Sequence, residues 1–124
     1  MESLSVLIVG GDSAMHYLLK RYAEQMGLST RVVKTLLDIE TIRKSETAAV
    51  IFSSVESLEG ERILVAQFTN LDIPIIVCSS AFEQIKTIEL GADYCLLHPL
   101  VFDNFSSILS MALKMEADGK KSKG

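Results

Sequence analysis

Four short clusters in this 124-residue chain hold side chains able to do chemistry: Gly10-Gly11-Asp12, Ser53-Ser54, Ser79-Ser80 and His98-Pro99. A glycine pair ahead of a helix forms a tight turn with positive φ, or opens backbone amides to an anion such as phosphate. The run GGDSAM lacks the GxGxxG spacing of a dinucleotide fingerprint. Asp12 has two uses, as a cap on helix amides or as a metal ligand. Mg²⁺ wants near-octahedral oxygen ligands, usually with one or two carboxylates, so Asp12 alone is a weak candidate and no metal site is expected. A serine hydroxyl is a poor nucleophile unless a base or metal activates it. Added phosphate on Ser53 or Ser54 would bring about −2 charge. Otherwise both satisfy their own loop's backbone. Ser80 fits a helix cap. Ser79 is left with a local hydrogen bond. His98 is positioned to act as a base, or to pair with Asp12 across the strand ends, but it is neutral for much of the time near pH 7. Cys78 and Cys95 lie inside apolar runs without a CxxC or metal spacing, and Cys78 is expected in the core. Two histidines exclude a multi-histidine site, and His16 is expected in solvent, opposite its helix's apolar stripe.

These clusters end short β-branched runs that alternate with helix-period segments. The strands are read at Leu4–Val9, Ser29–Val33, Ala48–Phe52, Ile73–Cys78 and Tyr94–Leu97. A first helix spans Ser13–Met26, with Met15, Leu18, Leu19, Tyr22, Ala23 and Met26 on one stripe and Gly27 ending it. A capping box at Thr35–Asp38 opens a short helix through Lys44, with Ile39 and Ile42 inward. A third helix runs from about Leu58 to Asn70, with Ile63, Leu64, Gln67, Phe68 and Leu71 on one side. Ser80–Glu83 is another capping box, opening a helix that stops at Gly91. The last helix covers about Asn104–Met115, with Phe105, Ile108, Leu109, Ala112 and Met115 inward. Strands this apolar read as parallel and covered on both faces. The expected fold is an α/β three-layer sandwich on a five-stranded parallel sheet in order 2-1-3-4-5, flavodoxin-like. Its functional crevice would lie at the carboxyl ends of the strands, where the four clusters fall.

Composition narrows the function classes. A chain with 48% hydrophobic and 23% charged residues suits one compact soluble globule rather than a disordered arm. Twelve basic against 16 acidic residues give a net charge of −4, so no strong positive field is available for nucleic acid. No stretch approaches the about 20 apolar residues that span a bilayer, and no signal-peptide pattern opens the chain. A cytoplasmic location with reduced thiols is expected. Residues 1–117 read as the domain and 118–124 as a polar tail or linker stub.

The segments LSVLIVGGD, IPIIVCSS and GADYCLLHPL together resemble the receiver domain of two-component response regulators, over about residues 4–115. The resemblance implies the CheY-like fold and a cis peptide at His98-Pro99. It also implies a site built from acidic residues after strand one, an acceptor aspartate after strand three, Ser or Thr after strand four and Lys after strand five. In this chain the acidic pair falls on Gly10 and Gly11, with Asp12 nearby. The acceptor falls on Ser53, or Ser54 if the register slips by one. Ser79 keeps its role, and His98 stands in place of lysine. The expectation is a degenerate receiver, a pseudo-receiver, with no catalytic residues and no cofactor.

The same resemblance implies protein partners or self-association on the face made by helix four, strand five and helix five, roughly Phe82–Met115. Phe82, Leu100 and Phe102 are expected to be solvent-exposed there. The aromatic switch of typical members falls on Cys95, with Tyr94 pointing to the other side of the sheet. Three other readings stay open. One is a flavodoxin-like binder of phosphate or flavin, with few aromatics to stack the ring. Another is residual phosphotransfer through Asp12. The third, an anti-sigma-antagonist-like domain phosphorylated on serine, conflicts with the five βα repeats.

Overall fold

A computed structural model of the chain describes residues 4–34, 47–68 and 72–114. Five strands pair in parallel in the order β2-β1-β3-β4-β5, with β1 at Ser5–Val9, β2 at Ser29–Val33, β3 at Thr47–Phe52, β4 at Ile75–Ser79 and β5 at Tyr94–Leu97. The central strands are apolar at successive positions because both faces are covered. Val6, Ile8, Ala49, Ile51, Ile76 and Cys78 face one core, whereas Leu7, Val9, Val50, Phe52, Ile75 and Val77 face the other. The first core is closed by helix α1 (Ser13–Gln25) and helix α5 (Phe102–Leu113), through Leu19, Ala23, Phe105 and Leu109. The second is closed by the short helices α2 (Val55–Gly60) and α3 (Arg62–Phe68), through Leu58 and Val65. Helix α4 (Gln84–Glu89), entered by a 3₁₀ turn at Ala81–Glu83, lies between β4 and β5 in the chain.

Local chemistry fixes the helix ends. Asp12 Oδ1 accepts from Met15 N at 2.9 Å and starts α1. Gly27, at φ +78°, ends it, with Leu28 N donating to Ala23 O and Gly27 N to Glu24 O. Ser54 Oγ accepts from Ser57 N at 3.1 Å and starts α2. The Glu83 carboxylate accepts from Ser80 N and from its hydroxyl.

Several expectations are corrected. The single helix from Leu58 to Asn70 is two, because the Ser54 cap starts α2 earlier and the chain turns at Glu61. The inward residues there are Leu58 and Val65, and Ile63 and Gln67 face solvent. The expectations for Leu64, Phe68 and Leu71 lie outside the described side chains. The helix from Thr35 to Lys44, with Ile39 and Ile42, and inward Met115 likewise lie outside the described residues. Leu100 is buried, at 9% exposure, in the core beside α1 and α5, where its carbonyl accepts from the Tyr22 hydroxyl at 3.4 Å. Phe102 is half-buried, its ring edge-on to Tyr22 at 5.5 Å between centroids. Tyr22, reaching across from α1, covers Phe102 in part and bonds the backbone at Leu100. No helix among the described residues is long and apolar enough to cross a membrane.

Candidate functional site

The carboxyl ends of β1, β3 and β4 bring three of the four clusters to one end of the sheet, and the fourth follows β5. Gly10 and Gly11 have φ of +77° and +97°, the left-handed side of the map that a side chain resists. Space forbids a side chain as firmly. A Cβ at Gly10 would collide with Ser57 Oγ, and one at Gly11 would lie 2.9 Å from Ser53 Cβ. The loops are also stitched together, Gly10 N donating to Val33 O at 2.9 Å and Ser53 N to Val9 O at 3.0 Å. Ser53 is buried against the glycines.

The carboxylate of Asp12 is engaged as the α1 cap. Among the described residues no ion pair joins it to His98, and no group of three or more His, Cys, Asp or Glu is arranged to hold a metal. Ser54 caps α2 and its hydroxyl also donates to Ser57 Oγ at 3.2 Å, the local role expected of it. Ser79 is buried, and among the described residues its hydroxyl meets no hydrogen-bond partner, contrary to the local bond expected of it, while its carbonyl accepts from His98 N at 3.1 Å. His98 is exposed, and the His98-Pro99 peptide is cis.

His16 is the residue that sequence reasoning misplaced. It is half-buried rather than in solvent, and its Nε2 lies 2.7 Å from Gly10 O. A carbonyl only accepts, so Nε2 carries the proton and donates. The signal was available in the spacing. His16 lies one turn after Asp12, and helical side chains lean toward the N-terminus, here toward the glycine turn. Ser57 was missed in the same way, three residues after its cap.

On the face of helix four and strand five, Phe82 is 99% exposed, as expected. Cys95 is half-buried, its Sγ 2.9 Å from Thr87 Oγ1. It packs toward the α2–α3 core and Tyr94 toward the α1–α5 core, on opposite faces of the sheet as anticipated. Cys78 is buried at the core, and burial, with Cys95 nearby, pushes its thiol pKa up to about 12.

No protein-family model matches the chain. No curated protein matches it either. Solved structures do. A response regulator receiver protein from Burkholderia phymatum superposes with a TM-score of 0.77 at 16% identity, covering 94% of this chain and 99% of that one. A response regulator from Thermotoga maritima gives 0.71 at 20%, covering 91% and 99%. The receiver domain of a Francisella response regulator gives 0.71 at 20%, covering 90% and 98%. The architecture is thus the CheY-like receiver fold, five parallel strands in order 2-1-3-4-5 between two helical layers.

Proposed function

We propose that this chain is a receiver-like signalling module that acts by docking a protein on the face of α4, β5 and α5, and that it is neither an enzyme nor phosphorylated on aspartate. One observation carries the reading: Ser53, at the position the receiver resemblance assigns to the acceptor, is buried under Gly10 and Gly11, while the neighbouring carboxylate caps α1. An arriving phosphoryl group would meet no carboxylate nucleophile there. It would also lack the metal that offsets its charge and the fixed cation that holds it, the supports that make such transfers fast. His98 is a poor substitute for that cation because its side chain is shorter than a lysine's.

The test is intact-mass spectrometry after incubation with acetyl phosphate and Mg²⁺, beside thermal melts with Mg²⁺ and beryllium fluoride. The expected result is an unchanged mass and an unchanged melting temperature. One added phosphoryl group, lost on Asp12→Asn, would overturn the reading. On the docking face Phe82 is the residue to perturb, because Phe102 packs on Tyr22. Phe82→Asp should weaken association while leaving the melting curve in place.

A further inference from the structure

Helix α4 is turned the wrong way for its sequence. An amphipathic helix buries its apolar stripe. Here the inward residue is Thr87, fully buried, while Phe82, Ile85 and Ile88, spaced by three, are 99%, 74% and 64% exposed. The phase is pinned from inside, since Thr87 Oγ1 donates to Gln84 O at 2.7 Å and lies 2.9 Å from Cys95 Sγ on β5. With that hydroxyl proton committed, the thiol is the donor to Thr87. The three side chains leave roughly 400 Å² of apolar surface in water, the size of patch that marks a binding site.

Charge says what covers it. Glu83 and Glu89 flank the stripe, and Lys86, the one base on α4, lies 3.6 Å from Glu59 of α2. Among the described residues, the opposite edge of the sheet carries the reverse charge. Around α1 and β2, Lys20, Arg21, Arg31 and Lys34 are exposed, with Glu24 as the acid on that helix beyond the Asp12 cap. That edge also has apolar residues in water, Tyr17 at 64% on α1 and Val32 at 44% on the edge strand. Because β2 and β5 are the two outer strands, the acidic apolar surface and the basic apolar surface belong to opposite ends of one molecule.

We propose that the occupant of the α4 stripe is a second copy of this chain, docked head to tail through its basic α1–β2 edge. The proposal rests on the reading that the α4 face is the docking surface. A two-fold pairing of α4 with α4 would set Glu83 and Glu89 against their own copies. The head-to-tail contact sets them against Lys20 and Arg21, with Tyr17 and Val32 available to Phe82 and Ile85. Such a contact does not close on itself, so each added copy exposes the same two ends. Its apolar stripe falls short of the about 800 Å² per partner of a stable interface, so association is reversible and rises with concentration. It weakens with salt, since Glu89, Lys20 and Arg21 are exposed.

Sedimentation velocity of the full chain over a wide concentration range, at low and high salt, tests this. Wild type should sediment faster as concentration rises at low salt and approach the 13.6 kDa monomer at high salt. Ile85→Lys/Glu89→Lys and Lys20→Glu/Arg21→Glu should each stay monomeric, with melting curves confirming the fold. An equimolar mixture of the two should regain association, because the unreversed ends make the wild-type contact and the reversed ends complement one another. Loss of association in the α4 variant alone would overturn the head-to-tail arrangement while leaving α4 as the docking surface. A mixture that stays monomeric, or a wild type that is monomeric throughout, would overturn the proposal. Association unchanged in both variants would overturn the docking reading as well.

Discussion

Replacing Gly11 by alanine tests whether the strand-end loops are closed on one another, and Gly27 provides its control. Both glycines have positive φ, +97° and +78°. Alanine at Gly27 would meet nothing within 4 Å, so it pays only the left-handed backbone penalty, about 1–2 kcal/mol. Alanine at Gly11 faces a similar or larger backbone penalty, of order 1–3 kcal/mol. It must also displace Ser53, 2.9 Å from the new Cβ, with His16 Nε2 at 3.3 Å. Ser53 is buried and its amide is tied to Val9 O, so the overpacking adds about 1–3 kcal/mol. The total for Gly11→Ala is about 2–6 kcal/mol, a large part of the 5–15 kcal/mol that holds a typical domain together. Urea denaturation reads this directly. With a slope of about 1.5 kcal/mol/M the midpoint should fall by about 1.3–4 M, against about 1 M for Gly27→Ala. Equal midpoints for the two variants would refute the crowding at the strand ends, and with it the claim that no side chain fits at Gly11.

Asp12→Ala should lose about 1 kcal/mol of stability as a lost helix cap, and added Mg²⁺ should leave the melts of both wild type and variant unmoved. Phe105→Ala should cost about 3–5 kcal/mol by equilibrium unfolding, because its fully buried ring lies against Tyr22 in the core cluster that includes Leu109. Cys78 ionises in the unfolded chain near 9.0 but in the fold only at about 12, so the folded state holds the extra proton between those values. Stability is therefore intact below pH 9.0 and falls from there toward about 12, by about 1.4 kcal/mol per pH unit from this group. Urea midpoints of wild type and Cys78→Ala between pH 8 and 10.5 check the slope.

The sheet was legible because a parallel strand covered on both faces must be apolar at nearly every position, and LIV and IIVC can be little else. Helix α1 was legible because its stripe, its Asp12 cap and its Gly27 stop agree with one another. The helix after β3 was not, because Ser54 and Ser57 form a cap within the serines first read as loop, and this shifts the helical phase onto Leu58 and Val65. Leu100 and Phe102 were misjudged for a different reason. Adjacency to a cis proline suggests a loop in solvent, but Tyr22, far away in sequence, covers Phe102 in part and bonds the backbone at Leu100. His16 shows the same limit: a polar residue opposite an apolar stripe reads as exposed until the glycine turn it leans on is in place. The clusters at the strand ends were found by position in the topology, whereas their contacts depend on packing that periodicity does not encode.

The two halves of the functional reading meet at Thr87. The receiver resemblance assigns the place of an aromatic switch on strand five to Cys95, which is bonded to Thr87. That bond, with Thr87 to Gln84, sets the outward phase of Phe82, Ile85 and Ile88 from within α4 and β5. The strand-end loops are held separately, by Gly10 to Val33, Ser53 to Val9 and His16 to Gly10. No ring has to move at position 95 for the apolar stripe to be presented, so the docking face should be available without any signal at the strand ends. Association measured by sedimentation should then be the same with and without acetyl phosphate and Mg²⁺. Thr87→Val, which keeps the buried volume but cannot hydrogen-bond Gln84 or Cys95, should weaken association and leave the sheet intact by circular dichroism. A phosphodonor that strengthened association severalfold would refute a constitutively presented face and return control to the strand ends.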